Sequence, residues 1–352
     1  MPVEFLSDEQ ARAFGRFTGI PTREDLDRFA FLDDADLELI SRRRSDYSKL
    51  GYGLQLVTVR WLGTFLPDPL DVPVAVLDYV ASQIGVADAS CVKRYTERRP
   101  TRFEHQAEIV TLDGWREFGA AQADLKSWID DRAWTTGDGP KVLFDGAVAW
   151  LRERRVLLPG VTTLARLVAQ VREETAQRLY DTLAGQLTGK QARLLDQLLE
   201  VPAGERVSLL EGWRRGPTRT SGTALVRALQ RAEEVAAMGV GELDLVAVPW
   251  RRVADLARYG MAAKAPLLRR HPRARRLATL LATVRWLESR TVDDALELFD
   301  VVLTTELLAR AERESSKEKL RRYPRIACRC RRYGTRSTTS SRAMNCALPL
   351  TE

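Results

Sequence analysis

The sequence predicts an all-α protein of several small helix-turn-helix-like modules in tandem, with a disordered basic tail. Three observations lead there. Apolar residues recur at three- and four-residue intervals along most of the first 320 positions, the spacing that lines one face of a helix. Several of these runs open on Ser, Thr or Asp followed three positions later by an acid or amide, a helix start signal. Alternating strand patterns are scarce, and Leu243 to Val248, ended by Pro249, is the best short strand candidate.

The elements follow in order. Ser7-Asp-Glu-Gln10 has the capping-box form and starts a first helix, and Thr22-Arg-Glu-Asp25 starts a second after Pro21. Pro67-Asp-Pro-Leu-Asp-Val-Pro73 reads as a rigid connector. Val74, Leu77, Val80 and Ile84 then lie at helical spacing, with Gly85 as the stop. Asp88 caps a short helix holding Val92, Lys93, Arg94 and Tyr95, and a further helix begins near Phe103. After the loop 135–140, residues 142–155 form a helix, and Val156-Leu-Leu-Pro-Gly160 turns the chain. Leu164, Leu167, Val168, Val171, Leu179 and Leu183 give a longer amphipathic helix that starts at Thr162 or Thr163 and ends near Gly185. Gly212 to Gly222 reads as a third loop. Leu277, Leu280, Leu281, Val284 and Leu287 form one more helical stripe, followed by Leu296, Phe299, Leu303 and Leu307. From about residue 323 the apolar period disappears, and the segment reads as disordered, as translation in a shifted frame would give.

Charge is informative only locally. The net charge is +7, and residues 321–352 carry all of it, with eight arginines against one glutamate. Residues 1–40 hold ten acidic and four basic groups. Then come Arg42, Arg43, Arg44, Lys49 and Arg60 against Asp46. Residues 91–102 hold Lys93, Arg94, Arg98, Arg99 and Arg102, and residues 251–290 hold eleven basic groups against Asp255 and Glu288. Such segregation predicts basic surface patches, although any one cluster reads equally as a solvated helix face.

Two stretches have the helix-turn-helix form that suits DNA. One runs from the 74–84 helix through Asp88 to the basic turn Glu97-Arg-Arg-Pro-Thr-Arg102, with Thr101 at the mouth of the next helix. The other pairs the 142–155 helix, which ends on Arg152, Arg154 and Arg155, with the helix that opens on Thr162, Thr163 and Arg166. Helix N-termini with hydroxyls suit DNA phosphates, because free backbone N–H groups point outward there. Arg269, Arg270, Arg273, Arg275 and Arg276 would add sequence-independent phosphate affinity. Any αα-hairpin with a glycine turn resembles this motif, so the pattern alone is weak.

Catalytic signatures are absent. His105 and His271 read as ordinary packing or surface residues, and Cys328-x-Cys330 with Cys346 lacks a fourth zinc ligand. Asp33-Asp34-x-Asp36 and Asp293-Asp294 could hold magnesium, but both fall at predicted helix starts, where acids favour the dipole. No phosphate-binding or dinucleotide glycine motif occurs. With neither a secretion signal nor ~18 consecutive apolar residues, no membrane association is expected and a bacterial cytoplasmic location is.

Specific strings add to the pattern. Pro2-Val-Glu-Phe-Leu-Ser-Asp-Glu-Gln10, Phe14-Gly-Arg-Phe-Thr18, Leu50-Gly-Tyr-Gly-Leu-Gln55 and Val59-Arg-Trp-Leu-Gly-Thr-Phe-Leu-Pro67 resemble the N-terminal region of Tn-three-family replicative transposases. So do Thr101-Arg-Phe-Glu-His105, Arg154-Arg-Val-Leu-Leu-Pro-Gly160 with Thr162-Thr-Leu164, and Arg313-Glu-Ser-Ser-Lys317. The resemblance covers roughly residues 1–323 and implies helical modules that recognise the terminal inverted repeats of a transposon. It also implies that the magnesium-dependent, carboxylate-bearing catalytic core lies downstream of this chain, so no cofactor and no enzymatic activity are expected. The partners expected are double-stranded DNA and, as a regulator, the intact transposase or a second copy. The alternative is a helical interaction module or inhibitor of transposition without DNA specificity of its own. The limits expected are an N-terminal segment 1–70, DNA-binding modules 71–135 and 141–190, a helical region with a basic patch 191–320, and the tail 321–352.

Overall fold

The computed structural model describes residues 5–97 and 99–304. Arg98, the side chain of Arg99, the Arg313–Lys317 string and the tail with Cys328, Cys330 and Cys346 lie outside the described residues. The expected all-α class is what the structure has. Its helices are α1 (Asp8–Ala13), α2 (Arg23–Phe29), α3 (Asp34–Ser41), α4 (Asp46–Leu62) and α5 (Val74–Ile84). A 3-10 helix, Ala89–Thr96, follows, then α6 (Arg99–Leu112), α7 (Phe118–Thr136), α8 (Pro140–Glu153) and α9 (Val161–Gly185). The remainder are α10 (Gly189–Gln197), α11 (Leu209–Arg214), α12 (Gly222–Ala236), α13 (Trp250–Ala262), α14 (Ala265–Arg269) and α15 (Arg273–Val301). Among the described residues the β-structure is one isolated parallel bridge, between Arg116 and Val156.

Local chemistry sets many of the starts. Ser7, Thr22 and Asp33 each accept from a backbone N–H three residues on, while that residue's side chain returns a bond to the cap amide. Asp88 caps as expected, accepting from Ser90 N, but the helix it opens is 3-10. Leu243 to Val248 is not a strand: Leu243 N donates to Val240 O at 3.2 Å and Val246 N to Asp244 Oδ1 at 2.9 Å, closing turns. A strand needs a neighbour for its ladder, and among the described residues no sheet edge is on offer.

Two compact units divide the chain, one of residues up to 179 with 248–252, the other of 180–247 with 253 onward. In the first unit α4 is the central element, buried from Leu50 to Val59 on every side. Such all-round burial explains the near-continuous apolar run of this helix, with Gln55 and Thr58 as its buried polar members. Gly51 lets the Tyr95 ring approach α4, since a Cβ there would lie 2.3 Å from the ring. One core runs from Leu26 to Trp115, straight through the proline connector 67–73, and a second, from Ala121 to Val171, lies among α7, α8 and α9.

Inside the first core Gln55 Nε2 donates to the Tyr95 hydroxyl, and that hydroxyl meets His105 Nδ1 at 2.9 Å. Burial, aided by the nearby Arg43 charge, lowers the His105 pKa to about 4. A neutral imidazole whose Nδ1 accepts from Tyr95 fits this position. The histidine is a packing residue, as the sequence suggested. The heaviest ionic brace is Arg60, whose Nη1 and Nη2 donate to Asp36 at 2.7 and 2.9 Å while Nη2 and Nε reach Asp113 at 2.8 and 3.3 Å. Burial opposes the Arg60 charge, but the two carboxylates outweigh it and raise its pKa.

The second unit is organised by α15, which spans 29 residues and packs along α12 through Ala228, Ala295 and Leu298. The helix start expected at Asp293-Asp294 is therefore a correction: both acids sit in mid-helix. Asp294 is buried, bonded to Arg231 Nη2 at 2.5 Å and Arg290 Nε at 3.1 Å. An acid pair resembles a cap in sequence only while its long-range partner, 63 residues away, is unknown.

Candidate nucleic-acid interface

The predicted cations separate into those that hold the fold together and those that face solvent. In the first unit the opening of α4 lies against the 3-10 helix. This brings the 42–49 cluster to the 93–94 pair: the Arg94 guanidinium sits 5.0 Å from the Tyr47 ring centroid, and Lys49 Nζ lies 3.4 Å from Asp46. Arg44 and Lys93 are exposed and make no ion pair among the described residues. Arg42 makes an exposed pair with Glu38 at 3.3 Å. Arg43 turns inward instead, 8% exposed, bonded to Glu108 at 2.5 Å with its guanidinium 3.6 Å from the Tyr52 centroid.

The 97–102 turn is less open than its sequence suggests. Arg102 Nη1 donates to Pro67 O at 2.7 Å, its guanidinium lies over Phe103, and Thr101 is half-buried in the first turn of α6. Arg102 therefore ties α6 to the proline connector.

The second candidate, α8-turn-α9, is held rigidly by backbone. Leu158 N donates to Gly63 O at 2.8 Å, Leu157 N to Arg116 O at 2.9 Å, and Arg116 N to Arg155 O at 2.8 Å. Gly63, in the left-handed conformation, ends α4 at this point and leaves its carbonyl to the turn. Arg155, left-handed at φ 51°, donates to Asp113 O at 2.6 Å and lies 3.6 Å from the Asp113 carboxylate. Asp113 is the acid that also pairs with Arg60. Its pKa is lowered because the Arg60 bonds outweigh the burial that would raise it. Arg152 bonds Trp61 O from a half-buried position, and burial lowers its pKa. Arg154 remains on the surface, 4.4 Å from the Trp150 centroid and beside Glu153. Thr162, Thr163 and Arg166 are exposed along the start of the 25-residue α9, and Arg166 makes no ion pair among the described residues.

In the second unit the 269–276 cluster divides similarly. Arg269 donates to Leu199 O at 2.5 Å and Arg276 Nε to Asp196 at 2.8 Å. Arg275 lies between Tyr180 and Tyr259 at 5.8 and 5.9 Å. Arg270 and Arg273 are exposed. Sequence reasoning passed over Arg215 and Arg219, just before the Ser221-started α12, and Arg227 within it. Among the described residues no group of three or more His, Cys, Asp or Glu could hold a metal ion, and no helix is long and apolar enough to cross a membrane.

The geometry can be set beside known proteins. The family model described as "Domain of unknown function (DUF4158)" matches residues 5–171. The transposase for transposon gamma-delta of Escherichia coli (strain K12) is 37% identical over 323 residues, which is 91% of this chain and 32% of that protein. The chain belongs to the Tn-three transposase family. Other relatives agree: the transposase for transposon Tn4556 of Streptomyces fradiae is 62% identical over 126 residues, 36% of this chain and 14% of that protein. The transposase for transposon Tn501 of Pseudomonas aeruginosa is 29% identical over 291 residues, 82% of this chain and 29% of that protein. The chain spans about a third of the length of the gamma-delta and Tn501 transposases. Within this Tn-three-family region the 5–171 match contains both solvent-facing sites of the first unit, around Lys93 and Arg94 and around Thr162 and Arg166.

Proposed function

We propose that this chain binds double-stranded DNA at the terminal inverted repeats of a transposon and contributes no strand cleavage of its own. The observation that carries the reading is the α8–α9 turn, whose backbone is pinned on both sides while Thr162, Thr163 and Arg166 stay exposed. A rigidly positioned helix N-terminus bearing hydroxyls and an arginine can hold a DNA phosphate and set the register of base contacts. The Arg44, Lys49, Lys93 and Arg94 edge supplies a second, sequence-independent grip. Its relation to transposases gives such a binder its natural target, the ends of a mobile element. The magnesium-dependent chemistry of transposition belongs, on this reading, to a catalytic region other than the residues described.

The test is a footprint of the full chain on a labelled end of the element, with unrelated duplex as competitor. Protection confined to the terminal repeat and lost in Thr162→Ala/Arg166→Ala supports the reading. Equal affinity for random duplex, or no complex at low salt, refutes it and favours a helical interaction module that acts on transposition through protein contacts. Incubation of the same complex with magnesium or manganese should leave the end unnicked.

A further inference from the structure

We propose that the second unit contains a phosphate-binding cleft at the start of α12, and that its occupant is a phosphodiester of the DNA backbone. The inference rests on the reading of the chain as a DNA binder and adds a contact outside the basic clusters read from the sequence. The cleft has a volume of about 560 Å3 and is walled by Arg215, Arg219, Ser221, Thr223, Arg227 and Arg231. Four arginines meet there, and the lining contains no acid.

The charge of three of them is not spent in ion pairs among the described residues. Arg215, Arg219 and Arg227 are exposed and make no ion pair among the described residues. Arg231 differs: its side chain is 11% exposed, and Nη2 is bonded to Asp294. Asp294 lies behind Gly216 and is shared by Arg231 and Arg290, and it makes no ion pair with the other three. Arg231 Nη1 donates to Arg215 O, so this arginine holds the loop beside α12 and helps to wall the cleft.

The backbone adds to this field. The 15-residue α12 starts at the cleft, where Ser221 Oγ accepts from Ala224 N and lies 3.1 Å from the Thr223 hydroxyl. A helix N-terminus carries a partial positive charge and unbonded amides, which a phosphate oxygen can use. The lining also says what the cleft does not select. It holds no aromatic ring and no Asn or Gln, so nothing there stacks on a base or reads its edge. Arginine, hydroxyl and amide donors without base-reading groups fit a backbone phosphate better than a nucleotide.

The experiment compares the full chain with Arg219→Ala/Arg227→Ala and with the control Arg193→Ala/Arg206→Ala, which removes two exposed arginines outside the cleft. Binding to duplex carrying the terminal repeat is measured across a salt series. Each lost phosphate contact lowers the slope of log affinity against log salt by about 0.9 on duplex DNA, so the cleft variant should lose about 1.8. The control should lose nothing, the ratio of cognate to random affinity should stay constant, and the melting temperature should not move. A second arm records the melting temperature with added pyrophosphate. If wild type binds duplex and the cleft variant keeps its slope, the DNA assignment is overturned, and an arginine-dependent pyrophosphate shift would then reassign the cleft to a free phosphate compound. If wild type binds no duplex, the proposed function has failed, and the pyrophosphate arm alone decides. A shift seen in wild type and lost in the cleft variant retains a phosphate site, and its absence removes it.

Discussion

Replacing Arg60 by Met keeps an apolar stem at this position of α4 but removes the guanidinium from between two carboxylates. Asp36 and Asp113 side chains are 5% and 12% exposed, against 31% for Arg60, so water replaces the lost partner poorly. Breaking a buried pair from one side costs about 3–5 kcal/mol, because a charge is left without compensation. Here Asp113 retains Trp115 Nε1 at 2.8 Å and the Arg155 contact, and Asp36 retains its own capping role. These partners place the expected loss near the lower end, about 3 kcal/mol. The assay is urea unfolding of both proteins from pH 7 down to about pH 2.5, below the ordinary carboxylate range. In wild type the Asp113 pKa is lowered by Arg60, so that contribution is present above the carboxylate's unfolded pKa and fades as pH falls towards its folded value. The gap between the proteins should therefore be widest at pH 7 and narrow on acidification. A loss below about 1 kcal/mol, the range of exposed pairs, or a gap that ignores pH would refute the claim that this brace holds α3, α4 and the end of α6 together.

Further outcomes are expected. Lys93→Ala/Arg94→Ala should leave the melting temperature nearly unchanged and lower the salt slope by about 1.8 if both cations touch phosphates; an unchanged slope would place the DNA elsewhere. Arg102→Ala should lower stability instead, because it frees Pro67 O and uncovers Phe103, and a variant of full stability with weakened DNA binding would reverse that assignment. His105→Phe should flatten the acid limb of stability: the folded pKa of about 4 lies below the ordinary 6.5, so wild type loses stability as pH falls from 6.5 towards 4. This loss is at most about 3 kcal/mol, and calorimetry at pH 7 and pH 5 checks the sign. Gly51→Ala places a methyl 2.3 Å from the Tyr95 ring and should cost about 1–3 kcal/mol by overpacking, measured by thermal unfolding; a neutral result would mean the ring moves aside freely.

What the sequence determined by itself was local. The cap at Ser7 with Gln10, the cap at Thr22 with Asp25 and the glycine stop at Gly85 are set within a few residues, and each stands in the structure where its sequence put it. The amphipathic stripe from Leu164 to Leu183 likewise marks α9, since a helix must bury one face. Family strings such as Leu50-Gly-Tyr-Gly-Leu-Gln55 were readable too, and the packing of Gly51 under Tyr95 gives one of them its physical reason.

What only the tertiary structure decided was which arginines are available. Arg43, Arg102 and Arg152 reach partners 65, 35 and 91 residues away, while Lys93 and Arg166 remain in solvent. The sequence does not separate the bracing cations from the free ones, because a guanidinium that braces the fold and one that meets a phosphate use the same donors. The mid-helix acids Asp293 and Asp294 were misread for the same reason, as Arg231 lies on another helix. Leu243 to Val248 had strand composition but, among the described residues, no neighbouring strand to pair with. Conversely, the arginines of the 212–222 loop and of α12 come to face one cleft only once the loop folds back beside the start of α12. Charge in the sequence states how many cations exist; packing, which decides which of them is already paired, states where a phosphate can bind.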